Sequence, residues 1–123
     1  MKALIIMALT ALFAAEPQFN EPTPEDFTIV SDKTEAGVRT IVATPSPLVC
    51  AKRIDIKVDV KTRKIQSVVF TRGCSGNGKA VGVLLQGMTV DEAVAKLSGI
   101  PCGQRGTSCT DQLSRVLKKA YKM

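Results

Sequence analysis

Cys50, Cys74, Cys102 and Cys109 are the residues of this 123-residue chain with unusual chemistry. Thiolates attack electrophiles, exchange disulfides and hold soft metals. The chain contains no histidine. Cysteine–histidine nucleophilic catalysis and mixed Cys/His zinc sites are therefore excluded, and a metal centre built by one chain must use thiolates alone or borrow Asp or Glu. The spacing Cys50-x23-Cys74-x27-Cys102-x6-Cys109 lacks the paired C-x2-C knuckles of a zinc ribbon. Spacing leaves two chemistries open: a four-sulfur metal site, or two disulfides, for which four cysteines allow three pairings.

One of these cysteines sits inside a motif that suggests a different chemistry. Gly73-x4-Gly78-Lys79, within "TRGCSGNGKA", has the spacing of a phosphate-binding P-loop, with the apolar Val68-Val69-Phe70 before it. Position 80 is Ala, where a P-loop needs a hydroxyl for magnesium, and no later apolar run ends in a magnesium-binding Asp. The stretch reads better as a glycine-rich turn presenting Cys74 at the start of a helix, where backbone N–H groups favour a thiolate.

The elements that must position the cysteines follow from hydrophobic period. Ile54, Ile56, Val58 and Val60 alternate with Asp55, Lys57 and Asp59, which predicts a half-buried strand. Lys61-Thr62-Arg63-Lys64 is a polar turn, and Ile65 to Phe70 returns as the second strand of a hairpin. Phe27 to Val30 and Val38 to Ala43 could add strands before Pro45 and Pro47 interrupt the chain.

Helices are expected from about Asn77 to Gln86, from a Thr89–Glu92 capping box to Gly99, and from about Asp111 to the C-terminus. Val90, Ala93, Val94 and Leu97 form one apolar stripe, and Leu113, Val116, Leu117, Ala120 and Tyr121 another. Strands first and helices after predict an α+β fold, an antiparallel sheet with helices on one face. Each cysteine falls at an element boundary, which allows the four to cluster at one end of the sheet.

Charge divides the chain. Residues 1–49 carry three Lys/Arg against six acids, net −3, and residues 50–123 carry fourteen against five, net +9, within a total of +6. A basic surface suits nucleic acid, yet Phe70 and Tyr121 are the only aromatics of the basic half, too few for a base-stacking platform. Residues 1–15 pair Lys2 with an uncharged apolar run. They read as a possible signal peptide, or as an apolar helix docked on the body, and are too short for a comfortable membrane span. Residues 16–39 read as a linker or N-terminal extension, and 40–123 as the cysteine domain.

Cys50-Ala51-Lys52-Arg53-Ile54, Gly73-Cys74-Ser75-Gly76-Asn77, Leu85 to Glu92 and Ile100 to Leu113 together resemble the TSCPD domain family, over about residues 40–123 and with all four cysteines. Thr110 stands where the name-giving motif has Pro, and both suit a helix start. A more distant likeness is to the scaffold proteins of iron–sulfur cluster assembly, in which Cys50, Cys74 and Cys109 would take the ligand places and Cys102 would be an additional ligand candidate.

The resemblance implies a small module related to the C-terminal domain of B12-dependent ribonucleotide reductases. The chain has no room for the reductase barrel, so a partner reductase or redox protein is implied rather than reductase activity of its own. A cytoplasmic location is implied unless residues 1–15 direct export. Three functions result: a metal module binding zinc or an iron–sulfur cluster through Cys50, Cys74, Cys102 and Cys109, a thiol redox module serving a reductase, or a basic nucleic-acid binder.

Overall fold

The computed structural model describes residues 20–123. The possible signal peptide at residues 1–15 lies outside the described residues. Four strands, β1 (Thr28–Glu35), β2 (Val38–Thr44), β3 (Arg53–Asp59) and β4 (Ile65–Thr71), form one antiparallel sheet in the order β1-β2-β3-β4. Three helices follow: α1 (Ser75–Leu85), α2 (Val90–Leu97) and α3 (Cys109–Ala120). The α+β class and the order of elements agree with the hydrophobic pattern.

Each strand connection has a local cause. Ala36 and Gly37 both adopt positive φ, 51° and 79°, so the β1–β2 turn has the backbone hand that matches strand twist. In the β3–β4 turn the Asp59 carboxylate accepts the N–H groups of Lys61 and Thr62 at 2.9 and 3.0 Å. That turn ends β3 early, and Val60, expected on the buried face, is instead exposed. Part of the extension expected as linker is a strand: β1 pairs along β2 from Thr28 to Glu35. As an edge strand it turns only Ile29 and Ser31 partly inward, so its sequence shows little apolar period.

The core lies between one face of the sheet and the helices. Ile41 and Ala43 of β2, Ile54, Ile56 and Val58 of β3, and Ile65 and Val68 of β4 meet Leu85, Val90, Ala93, Val94, Leu113, Val116 and Leu117. α1 lies unusually close to β4. A Cβ built on Gly82 would stand 2.7 Å from the Val68 carbonyl oxygen, and one on Gly78 would touch Phe70 at 3.5 Å. These two glycines, one turn apart, let the helix backbone rest on the strand.

Beyond α1, Gly87 donates its N–H to the Ile65 carbonyl at 2.9 Å, Ile65 donates to Met88 at 2.7 Å, and Val90 donates to Arg63 at 2.9 Å. This ties the start of α2 to the β3–β4 turn. Thr89 caps α2 by accepting the Glu92 N–H at 3.2 Å, whereas the Glu92 carboxylate meets the Thr89 hydroxyl, so half of the expected capping box forms.

α3 spans the sheet lengthwise. At its C-terminal end Tyr121 lies between the Arg39 and Arg63 guanidinium groups, 4.4 and 4.8 Å from its ring centroid, and Arg39 donates to the Ala120 carbonyl at 2.9 Å. Among the described residues no helix is long and apolar enough to cross a membrane.

Gly82→Ala should be destabilising by about 1–3 kcal/mol, because its methyl group meets a backbone oxygen that cannot yield. Gly76→Ala, where a Cβ meets nothing within 4 Å, should leave stability unchanged or slightly raised. Thermal unfolding of the two variants checks this, with Gly82→Ala melting several degrees lower and Gly76→Ala not.

Candidate functional site

Antiparallel pairing places the start of β3 beside the end of β4, so the segment holding Cys50 and the segment holding Cys74 leave the sheet at the same end. Lys52 donates to the Thr71 carbonyl at 2.9 Å and holds the two together. Gly73, at φ 96°, lets the chain turn there: a Cβ on it would lie 3.2 Å from the Ala51 nitrogen and 3.5 Å from the Cys50 Cβ. Cys74 is then the N-cap of α1.

This settles the P-loop motif. α1 already begins at Ser75, and the Gly78 N–H is spent on the Cys74 carbonyl at 2.8 Å. Gly78 and Lys79 are helical residues and do not form a phosphate cradle.

The other two cysteines are brought to this end by buried polar groups at the start of α3. Ser108, not Cys109, is the N-cap; its hydroxyl accepts the Asp111 N–H at 3.0 Å and donates to the Ile100 carbonyl at 2.6 Å. Cys109 is therefore the first residue of the helix, which starts two residues before the expected Asp111.

The fully buried Gln112 accepts the Ser46 N–H at 2.9 Å. It donates to the Pro24 carbonyl at 2.8 Å and to the Thr107 hydroxyl at 3.0 Å. A carbonyl on one side and an N–H on the other fix which way its amide points.

Asp111, 2% exposed, accepts from Gly99 N–H at 2.7 Å, the Thr107 hydroxyl at 2.6 Å and Arg115 Nε at 2.8 Å. Burial alone would push its carboxyl up. The Arg115 and Thr107 hydrogen bonds, the Gly99 N–H and the Arg115 charge outweigh that and hold it below the ordinary carboxylate value. Arg115 also pairs with Glu25, which ties the N-terminal arm to α3.

All four cysteines line one open cavity of about 240 Å³. Its apolar wall is Val49, Phe70, Val81 and Pro101, and Arg72 and Arg105 are its cations; among the described residues no Asp or Glu lines it. Cys50, Cys74 and Cys102 are exposed, Cys109 is half-buried, and none is in a disulfide. Arg105 Nη1 donates to the Cys50 sulfur at 3.2 Å. That hydrogen bond, then the negative charge that Cys50, Cys102 and Cys109 carry when ionised, holds the guanidinium above its ordinary value. Among the described residues, no three Cys, Asp or Glu side chains as placed could hold one metal ion. The cavity gathers the sulfurs without closing them on a point.

The TSCPD domain pattern matches residues 23–121. This chain belongs to the TSCPD domain family. Comparison with curated proteins and with solved structures returned no match. The matched span reaches back past residue 40 to include β1, in agreement with the sheet. Within the TSCPD motif the side chains divide by role: Thr107, Ser108 and Asp111 hold the loop, and Cys109 faces the cavity.

Sequence reasoning singled out the four cysteines that line the cavity but not Ser46, Asp111, Gln112, Arg72 and Arg105. Polar Asp and Gln next to the apolar stripe of α3 were the available signal for the buried pair. Nothing in the sequence marks the two arginines.

Asp111 should make this TSCPD domain acid-sensitive. A carboxyl lowered in the folded state contributes stability that is present above its ordinary value of 3.8 and lost as pH falls through the lower folded value. Asp111→Asn should be destabilised by about 1–3 kcal/mol at neutral pH. Denaturant melts at pH 7 and below pH 3.8 check this, with the gap between variant and wild type narrowing in acid.

Proposed function

We propose that this TSCPD domain is a metal-binding module in which Cys50, Cys74, Cys102 and Cys109 hold zinc or an iron–sulfur cluster, and that it serves a ribonucleotide reductase or a related redox partner. The observation that carries the proposal is the meeting of four sulfurs, delivered by three separate connecting segments and one helix start, on a single cavity. Inert core-filling cysteines have no reason to converge in this way, and none of the four is paired in a disulfide.

The donor chemistry fits. Four thiols and no imidazole suit zinc or iron–sulfur chemistry, and the cavity holds several water volumes at roughly 30 Å³ each. Bound zinc would cross-link the loops, whereas a cluster would also carry electrons. The residues supply the rest. Gly73 and the flat seat of α1 fix Cys50 against Cys74, and the Asp111 and Gln112 hydrogen bonds anchor both ends of the loop from Gly99 to Thr107. Between those anchors residues 100–106 are exposed; the Cys102 N–H donates to the Thr107 carbonyl at 3.0 Å, so it is the exposed Cys102 side chain that would turn to close on a metal.

Protein purified under reducing, oxygen-free conditions should carry about one zinc ion or one cluster per chain, released in acid. A structural zinc site can contribute on the order of 10 kcal/mol, comparable to the whole stability of a small domain. Cys74→Ser or Cys109→Ser should therefore lose metal and melt lower, while Lys79→Ala keeps its metal. Metal-free wild type with four titratable thiols, unmoved in its melting temperature by added zinc, would reject the metal site and favour the thiol redox role.

A further inference from the structure

We propose that Arg72 and Arg105 are charge-compensating residues of the cysteine cavity, which make it select a metal complex of net negative charge. The inference rests on the metal-binding reading above and extends it to what the site discriminates. A divalent ion held by four thiolates carries a net charge of about −2. Leaving that charge uncompensated in a partly apolar cavity is costly.

Among the described residues, two arginines and no Asp or Glu line the cavity. Arg105 already points at the site, with Nη1 donating to the Cys50 sulfur at 3.2 Å. It has no acidic partner among the described ion pairs. The Arg105 N–H also donates to the Cys102 carbonyl at 3.3 Å, so the same residue touches two of the four cysteine segments.

Arg72 adds an independent observation. Its φ is 64°, in the left-handed region where a long side chain costs energy, and it precedes Gly73, also at positive φ. A glycine or asparagine would fit that backbone with less strain. The strained arginine stands one residue from Gly73 and two from Cys74, among the residues that line the cavity. Both arginines act on the metal through the ligating sulfurs and so are positioning residues.

The test measures zinc affinity of the full chain by competition with a chromophoric chelator, for wild type, Arg105→Ala, Arg105→Lys, Arg72→Asn and the double variant Arg72→Asn/Arg105→Ala. Arg105 is exposed and asparagine suits positive φ, so the metal-free variants should melt as wild type does.

Arg105→Ala and Arg72→Asn should each bind zinc about 10-fold more weakly, the double variant should be weaker still, and Arg105→Lys should recover most of the loss. Raising salt from about 0.05 to 0.5 M should weaken wild type more than the double variant, because salt screens the compensating charge. Variants that bind zinc as wild type does, or a Lys variant no better than Ala, would overturn the charge role while leaving the metal site standing. Wild type that binds neither zinc nor, after anaerobic reconstitution with iron and sulfide, a cluster would remove both.

Discussion

The side-chain amide of Gln112 is the constraint on which the arrangement of this domain most depends. With no exposure to solvent, it satisfies its oxygen with Ser46 and its nitrogen with Pro24 and Thr107. An unpaired amide at that depth would cost several kcal/mol, of order 1–3 per lost partner, so the three segments are held together or the core opens. One of them leads into Cys50, and another lies between Cys102 and Cys109. Asp111 reinforces the same junction from the preceding residue, where Gly99, Thr107 and Arg115 complete its carboxylate. The positions of three cysteines thus follow from two adjacent polar residues in the first turn of α3.

Topology does the remainder. A four-stranded antiparallel meander puts the β2–β3 connection and the exit from β4 at one end. α1 runs back along β4, α2 returns, and the loop before α3 therefore comes back to the cysteine end. Gly82 sets how closely α1 can lie on β4. Tyr121, held between two arginines, fixes the far end of α3. The cysteines sit where the regular structure stops, and none of them is needed to fill the core.

Much of this was legible in the sequence because the buried strands alternate strictly. Ile54, Ile56 and Val58 are fully buried as their period requires, and Val90, Ala93 and Val94 fill the expected stripe. The α+β class and the family were readable for the same reason, since strong local patterns and a dense motif both survive without tertiary context. What escaped was set by contacts distant in sequence. The start of β1 is expected as a strand at Phe27 to Val30, but its continuation to Glu35 looks like linker because an edge strand needs few apolar residues. Val60 looks buried until the Asp59 turn ends the strand before it. Asp111 and Gln112 look like ordinary helix-start residues, since their partners lie in three other segments. The P-loop spacing is set aside by the sequence itself, because position 80 is Ala, and the structure adds a second reason: the helix begins at Ser75, too early to leave a loop.

The cysteine site combines a fixed half and an adjustable half. Cys50 and Cys74 are held by backbone contacts through Gly73, and Cys102 lies on an exposed, anchored loop. On the proposed metal-binding reading, such a site would gather its ligands first and close when a metal supplies the missing attraction. X-ray absorption at the zinc edge of the zinc-loaded full chain tests that claim most directly. Four sulfur neighbours at about 2.3 Å, falling to three in Cys102→Ser, are expected. A first shell of oxygen or nitrogen, or a sulfur number unchanged by Cys102→Ser, would contradict it.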